Sequence, residues 1–189
     1  MTAHHPPATG LYAQNITCPL CQTTFDHFGV RKAVLKARGH DSDFHTRFEG
    51  PNPDHYAVIV CPNCWYAAFA TDFAELTPRQ RTQFAAQPNL RKEMAARGND
   101  YDFTQPRTLS AAQLSLTLAL RWYQLRNAPP NRLGEAWLRL AWLEREAGRE
   151  IQERIYLEKA RTLLIQAYER ADLGSTEVVA RVTYLIFEL

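Results

Sequence analysis

The feature that most constrains this chain occurs twice. Cys18-Pro-Leu-Cys21 and Cys61-Pro-Asn-Cys64 contain all four of its cysteines, in two Cys-Pro-x-Cys hooks. A two-residue spacing lets one tight turn aim both thiolates at a single ion, and two such pairs complete a tetrahedral S4 shell. Tyr56-Ala-Val58-Ile59-Val60 reads as a strand that delivers Cys61, and Ile16-Thr17 leads into Cys18. A strand feeding a Cys-x-x-Cys turn is the expected geometry of a zinc ribbon. A closed S4 shell leaves no position for water, so the expectation is structural Zn2+ on Cys18, Cys21, Cys61 and Cys64. Iron in a rubredoxin-like site uses the same hooks and is the alternative metal. A redox dithiol pair would need a thioredoxin-like setting, which nothing here suggests. Residues 22–60 make a longer loop than the commonest ribbons have. Many such hooks carry glycine after the second cysteine, where a left-handed backbone turns amides toward sulfur; here Gln22 and Trp65 stand in those places.

Composition sets the outer bounds. With 189 residues, 46% of them hydrophobic, the chain can bury one ordinary core and a small satellite domain. Residues 1–106 carry ten basic and ten acidic side chains, and residues 107–189 carry twelve and ten. Neither half has the basic excess of a dedicated nucleic-acid binder. No apolar run is long enough to span a bilayer, and the N-terminal residues lack a signal-peptide core. The expectation is a cytoplasmic protein, where close cysteine pairs hold metal rather than form disulfides. Residues 1–16, with His4, His5, Pro6 and Pro7, read as a flexible lead-in.

Between the hooks lie two further candidate sites. Asp41, Asp43 and His45, with Glu49, Asp54 and His55 nearby, offer oxygen and imidazole ligands for a second metal or a hydrolytic centre. The alternative is a polar loop whose Asp side chains cap turns, and no complete spacing signature such as the HExxH helix is present. Arg31, Lys32, Lys36 and Arg38, near Phe25, Phe28 and Tyr56, could meet phosphate and stacked bases. The alternative is a solvated strand face, which the zero net charge of this half supports. Val30 to Arg38 fits a strand or a short helix equally well. Asp41 to His45 and Gly50-Pro51-Asn52-Pro53 are turn chemistry.

Beyond the hooks the chain reads as helical. Trp65 to Phe73 is expected to start a helix. Thr77-Pro78 opens another, to about Gln87, which Pro88 interrupts, and a further piece ends near Gly98. Asn99 to Pro106 reads as a linker. The expected division is a zinc-ribbon-like domain at 17–76, connecting helices and linker at 77–106, and a tetratricopeptide-like helical domain at 107–189. Ser110 with Gln113 fits a capping box. Helices are expected from there to Leu125, over 133–147 and 150–171, and, after a stop at Gly174-Ser175, over 176–189. Trp137-x-x-Leu140-Ala141 with Gly148, then Ala160, Leu164 and Ala167, follow tetratricopeptide spacing if about two helical turns are inserted at 149–156. Trp122, Tyr123, Trp137 and Trp142 are candidate anchors for a partner or core residues. The last helix, with Val178, Val179, Val182, Tyr184, Leu185, Ile186, Phe187 and Leu189, has little polar face. It needs cover from the metal-binding half, another subunit, or chain beyond Leu189.

The fold expected is therefore mainly α with a small β part. The function expected is a zinc-binding, non-enzymatic interaction module that meets a protein partner or self-associates through its helices, with no membrane. A nucleic-acid-binding zinc ribbon is the second reading, and a metal-dependent hydrolase using Asp41, Asp43 and His45 the third.

In their order, Cys18-Pro-x-Cys21, Asp41-Ser-Asp43-Phe44, Gly50-x-Asn52-Pro53-x-x-Tyr56 and Cys61-Pro-x-Cys64-x-Tyr66-Ala67-Ala68 resemble an uncharacterised bacterial family, domain of unknown function 2225. Arg139-Leu-Ala-Trp-Leu143 and the Ala-rich helix after it are similar to that family's helical half. The resemblance covers about Thr17 to Leu189. It implies a cytoplasmic bacterial protein with a metal-hook domain before tetratricopeptide-like helices, and no established activity. Gln22 and Trp65 depart from the family's glycines, and His45 stands where Cys is frequent, which would make position 45 a soft-ligand position. A third departure is at the end: relatives continue into another repeat helix, whereas this chain stops at Leu189, which would account for an uncapped apolar last helix.

Overall fold

A computed structural model of the chain describes residues 10–98, 100–170 and 176–189. Its strands form three separate antiparallel hairpins. β1 (Leu11–Thr17) pairs with β2 (Thr24–Val30), and Thr17 lies opposite Thr24, so the first hook is the hairpin's loop. β5 (Val58–Val60) pairs with β6 (Ala67–Phe69), with Val60 opposite Ala67 across the second hook. Between them β3 (Lys36–His40) pairs with β4 (Thr46–Glu49), with an irregularity between Ala37 and Gly39.

Several local expectations change. Residues 11–16 of the presumed lead-in are strand β1. Tyr12 to Asn15 are exposed, so no buried alternation marks the strand in the sequence, and its partner β2 creates it. Residues 1–9 lie outside the described residues. Val30 to Arg38 is neither one strand nor an α-helix: β2 ends at Val30, a 3-10 turn spans Lys32–Val34, and β3 follows. Trp65 to Phe73 is not a helix. Its segment β6 returns along β5, and Ala67, Ala68 and Phe69 are all buried, which removes the period that would separate strand from helix.

The helices are α1 (Pro78–Ala85), α2 (Pro88–Gly98), α3 (Leu109–Leu125), α4 (Pro130–Glu146), α5 (Glu150–Glu169) and α6 (Thr176–Glu188). Thr77 and Gln80 form a full capping box at α1. As expected, the first helix stops before Pro88 and a second runs to Gly98; Pro88 itself opens α2, and Pro130 opens α4, since proline's missing N–H is harmless in the first turn. At α3 the cap is Thr108, whose Oγ1 accepts from the Ala111 amide at 3.2 Å, not Ser110. Gly148, at φ +69°, makes the left-handed turn between α4 and α5. Gly174-Ser175 lies outside the described residues.

The result is mainly helical with a small strand part. α3 is the shared wall: it packs against β5 and β6 on one side and α4 on the other. One continuous apolar cluster runs from Cys18, Cys61 and Cys64 through Tyr66, Phe73 and Phe84 to Trp122, Tyr123 and Leu143. A second cluster, with Leu138, Trp142, Ala160, Leu164, Val182 and Leu185, joins α4, α5 and α6. Close approach of α4 to α5 needs Gly134, where a Cβ would lie 3.1 Å from Leu164. Trp122, Tyr123 and Trp142 are buried, and Trp137 is half-buried against Tyr156.

Candidate metal centre

The two hooks are built alike. In the first, the amide of Gln22 donates to the Cys18 carbonyl at 2.9 Å, and the amide of Cys18 to the Thr23 carbonyl at 2.8 Å. In the second, Trp65 donates to Cys61 at 3.0 Å, and Cys61 to Tyr66 at 2.9 Å. Gln22 (φ 61°) and Trp65 (φ 63°) both take the left-handed conformation that glycine usually fills. The turns therefore present four sulfurs to one another. Cys18 and Cys64 Sγ lie 3.6 Å apart, as do Cys21 and Cys61, and all four sulfurs are within 4.8 Å. A metal–sulfur bond of about 2.3 Å in a tetrahedron sets sulfurs about 3.8 Å apart, whereas a disulfide needs about 2.05 Å. The cysteines are free, and their spacing fits a metal ion.

The electrostatics point the same way. Hydrogen bonds from the Cys61 and Cys64 thiols hold Cys18 down to about 4. The same bonds, with burial, push Cys61 and Cys64 up. Four packed thiols cannot all ionise on their own, because each added negative charge opposes the next. A cation at the centre would remove that opposition. No open coordination position would remain once four sulfurs bind, so the arrangement could hold a metal but would offer no place to activate water.

Trp65 explains its own departure from glycine. Its ring lies on α2, where a Cβ at Gly98 would come within 2.1 Å of it, and meets Phe103 edge-on at 6.2 Å. Its carbonyl accepts the indole N–H of Trp122 at 2.6 Å, tying the second hook to α3. Beneath it Tyr66 stacks among Phe73, Phe84 and Trp122. Tyr123 Oη accepts from the Phe69 amide and donates to Asp72, which also pairs with Arg126 and Arg132.

The residues of the acidic loop come together, against α4. Asp41 to His45 forms the tip of the β3–β4 hairpin, with Phe44 at φ 66°. Asp43 is buried and accepts from the Trp142 indole at 2.9 Å and from Arg145 Nη2 at 2.8 Å. Asp41 accepts from Arg145 Nη1 at 2.9 Å and sits 3.0 Å from His45 Nδ1. The His45 ring stacks on Trp142 with centroids 5.2 Å apart. Phe44 reaches α6, packing on Tyr184 at 5.0 Å under the Arg181 guanidinium. The next turn follows suit: Asn52 and His55 each bind Glu146 at 3.0 Å, and Asp54 pairs with Arg139. Asp41, Asp43 and Asp54 are thus bound by Arg139, Trp142 and Arg145 of α4, and Asp41 also pairs with Arg47 at 3.3 Å. Among the described residues, the four cysteines are the only group of three or more His, Cys, Asp or Glu side chains arranged to hold a metal.

The basic segment is spread over three elements. Arg31 Nε donates to the Leu11 carbonyl at 3.3 Å, Lys32 lies in the 3-10 turn, and Lys36 and Arg38 are on exposed β3. Arg38 is 3.8 Å from Glu49, which also lies opposite Lys36. Sequence reasoning missed Arg107. It is buried, donates to the carbonyls of His55 and Val58 at 3.0 and 2.7 Å, and has no carboxylate partner among the described residues. Burial lowers it to about 10, and its charge, with burial first, lowers His27 to about 3. No local pattern distinguishes Arg107 from the other surface-type arginines in the sequence.

The fold and site define a four-cysteine hook protein whose strand-rich part is clasped by helices. The chain belongs to the family described as an uncharacterized protein conserved in bacteria, DUF2225, which matches residues 11–189. It is similar to an uncharacterized protein of Borreliella burgdorferi, 27% identical over 123 residues. That match takes in 59% of this chain and spans 43% of the relative's length. No solved structure matches. Among the described residues, no helix is long and apolar enough to cross a membrane.

Proposed function

We propose that this protein is a zinc-binding interaction module, a non-enzymatic adaptor or scaffold of the bacterial cytoplasm. Residues 17–76 are its zinc-held, ribbon-like part, 77–106 connect, and 107–189 are a tetratricopeptide-like part that meets a protein partner. The zinc ion is structural and bound by Cys18, Cys21, Cys61 and Cys64. The observation that carries the reading is where apolar surface is left over. Of eight exposed large hydrophobic side chains among the described residues, six lie on α5 and α6, including Ile151 at 83% and Phe187 at 85% exposed. Exposed apolar surface concentrated on adjoining elements is a mark of protein contact sites. Supporting it, Asp41, Asp43 and His45 are engaged by Trp142 and Arg145, which leaves them ill-placed to bind a second metal or act on a substrate. Arg38 and Lys36 face Glu49, which weakens a phosphate-binding stripe.

The test is site-specific photo-crosslinking in bacterial cells from Ile151 and Phe187 of the full chain, with sedimentation of the purified protein. Crosslinks to a defined protein or to a second copy support the reading. A monomer that crosslinks to nothing from either position sinks it. Elemental analysis should give one zinc per chain.

A further inference from the structure

The S4 shell is asymmetric in its exposure. Cys18 and Cys61 are fully buried and Cys64 is 5% exposed, while Cys21 alone is partly open to solvent. The residues after the two hooks also differ. Trp65, after the second hook, packs its ring on Gly98 and Phe103. Gln22 is exposed and turns its amide back to the Pro19 carbonyl at 3.2 Å, leaving the outer side of Cys21 clear.

Cys21 also has a hydroxyl partner. As a thiol its Sγ donates to Thr23 Oγ1 at 3.3 Å, and that oxygen also accepts from Asn63 Nδ2 at 3.0 Å. Once Cys21 is a metal-bound thiolate it has no proton to give, so the Thr23 hydroxyl becomes the donor. Asn63, by filling an acceptor position on that hydroxyl, turns its proton toward sulfur. A donated proton withdraws electron density from a thiolate and lowers its reactivity.

We propose that Cys21 is a peroxide-sensitive corner of the zinc site, held in check by Thr23 and Asn63. This rests on the zinc reading above. The Cys21 thiolate attacks the hydroxyl oxygen of a hydroperoxide, the O–O bond breaks, and hydroxide or alkoxide leaves to take a proton from water. Cys21 keeps the transferred hydroxyl as a sulfenic acid. The Cys61 thiolate, 3.6 Å away, then attacks the Cys21 sulfur, hydroxide leaves, and a disulfide forms. Two electrons pass from the two sulfurs to the peroxide. Cys18 and Cys64 alone would then be left to hold zinc, which would be released with its charge unchanged. Dithiol reductants reverse the disulfide and let zinc rebind.

The experiment uses the full chain as purified, with its metal content measured first. Hydrogen peroxide is then added with a sulfenate trap, zinc release is followed with a metal-sensitive dye, and modified cysteines are mapped by mass spectrometry. The first adduct is expected on Cys21, the first disulfide between Cys21 and Cys61, and zinc release in step with them. Thr23→Val should release zinc about fivefold faster, the effect of losing one hydrogen bond. Asn63→Ala, an exposed substitution, should move the rate the same way and serves if Thr23→Val misfolds. A chain without zinc before peroxide overturns the reading of the site itself. A zinc-loaded chain whose first adducts fall on Cys18, Cys61 or Cys64, or whose rate ignores both variants, overturns only the assignment to Cys21.

Discussion

Asp43 accepts the indole N–H of Trp142 at 2.9 Å across 99 residues of sequence, and Arg145, one turn on, pairs with the same carboxylate. Asp43 is 4% exposed, so removing Arg145 strands its charge, whereas removing Asp43 leaves Arg145 paired to Asp41 and Glu153. Arg145→Ala should lose about 3 kcal/mol, Asp43→Ala less, and the double variant clearly less than the sum, with a coupling of about 1–3 kcal/mol. Urea unfolding of the four proteins measures this. Zinc content should not change in any of them, whereas a lost metal equivalent in Asp43→Ala would restore the loop as a ligand site.

Cys61→Ser should lose the metal and most of the stability of the hook region. Cys61 sits at the start of the second hook, with its amide bound to Tyr66 and its sulfur facing Cys18 and Cys21, so the change opens the shell from within. Metal binding free energy is folding free energy in such a site. A chelator should produce the same state in the unmodified chain. Retained metal with unchanged melting would disprove the ligand set.

The two left-handed hook residues should respond in opposite directions to glycine. Gln22 is exposed, so Gln22→Gly relieves backbone strain and should stabilise by about 1 kcal/mol. Trp65→Gly relieves the same strain but removes the ring from Gly98 and Phe103, and should destabilise by about 2 kcal/mol or more. Thermal melts of the two variants, metal-loaded, decide it. Equal shifts of the same sign would contradict the packing role of Trp65.

His27 is buried, and burial together with the Arg107 charge lowers it to about 3. The unfolded chain then binds the extra proton over a window from about 6.5 down to about 3, so this residue withdraws stability as pH falls through that range. Its imidazole should stay neutral by NMR between pH 5 and 8. His27→Phe should flatten the acid-side slope of stability relative to the parent chain. A histidine that titrates near 6.5 in the folded protein would refute the burial argument.

The metal hooks were legible because their chemistry is local: two residues between thiols suffice to aim them. The helices were legible for the same reason, through caps such as Thr77 with Gln80 and through apolar periodicity in α3 and α4. The acidic loop was noticed but open to three readings, because Asp41, Asp43 and His45 gain their meaning from Trp142 and Arg145. Strand β6 was misread as helix because Ala67, Ala68 and Phe69 are buried on both faces. Arg107 was invisible, since its partners are backbone carbonyls and carry no side-chain signature.

The tie between Trp65 and Trp122 has a consequence for how the chain is made. Synthesis runs from the N-terminus, so both hooks emerge before α3 and α4 exist. An ion captured at that stage would close residues 22–60 into a loop while Tyr66 and Phe84 still lack the Trp122 indole that later packs on them. In the nascent chain the metal would serve as a placeholder, keeping the two hairpins together until the helices that cover them are translated.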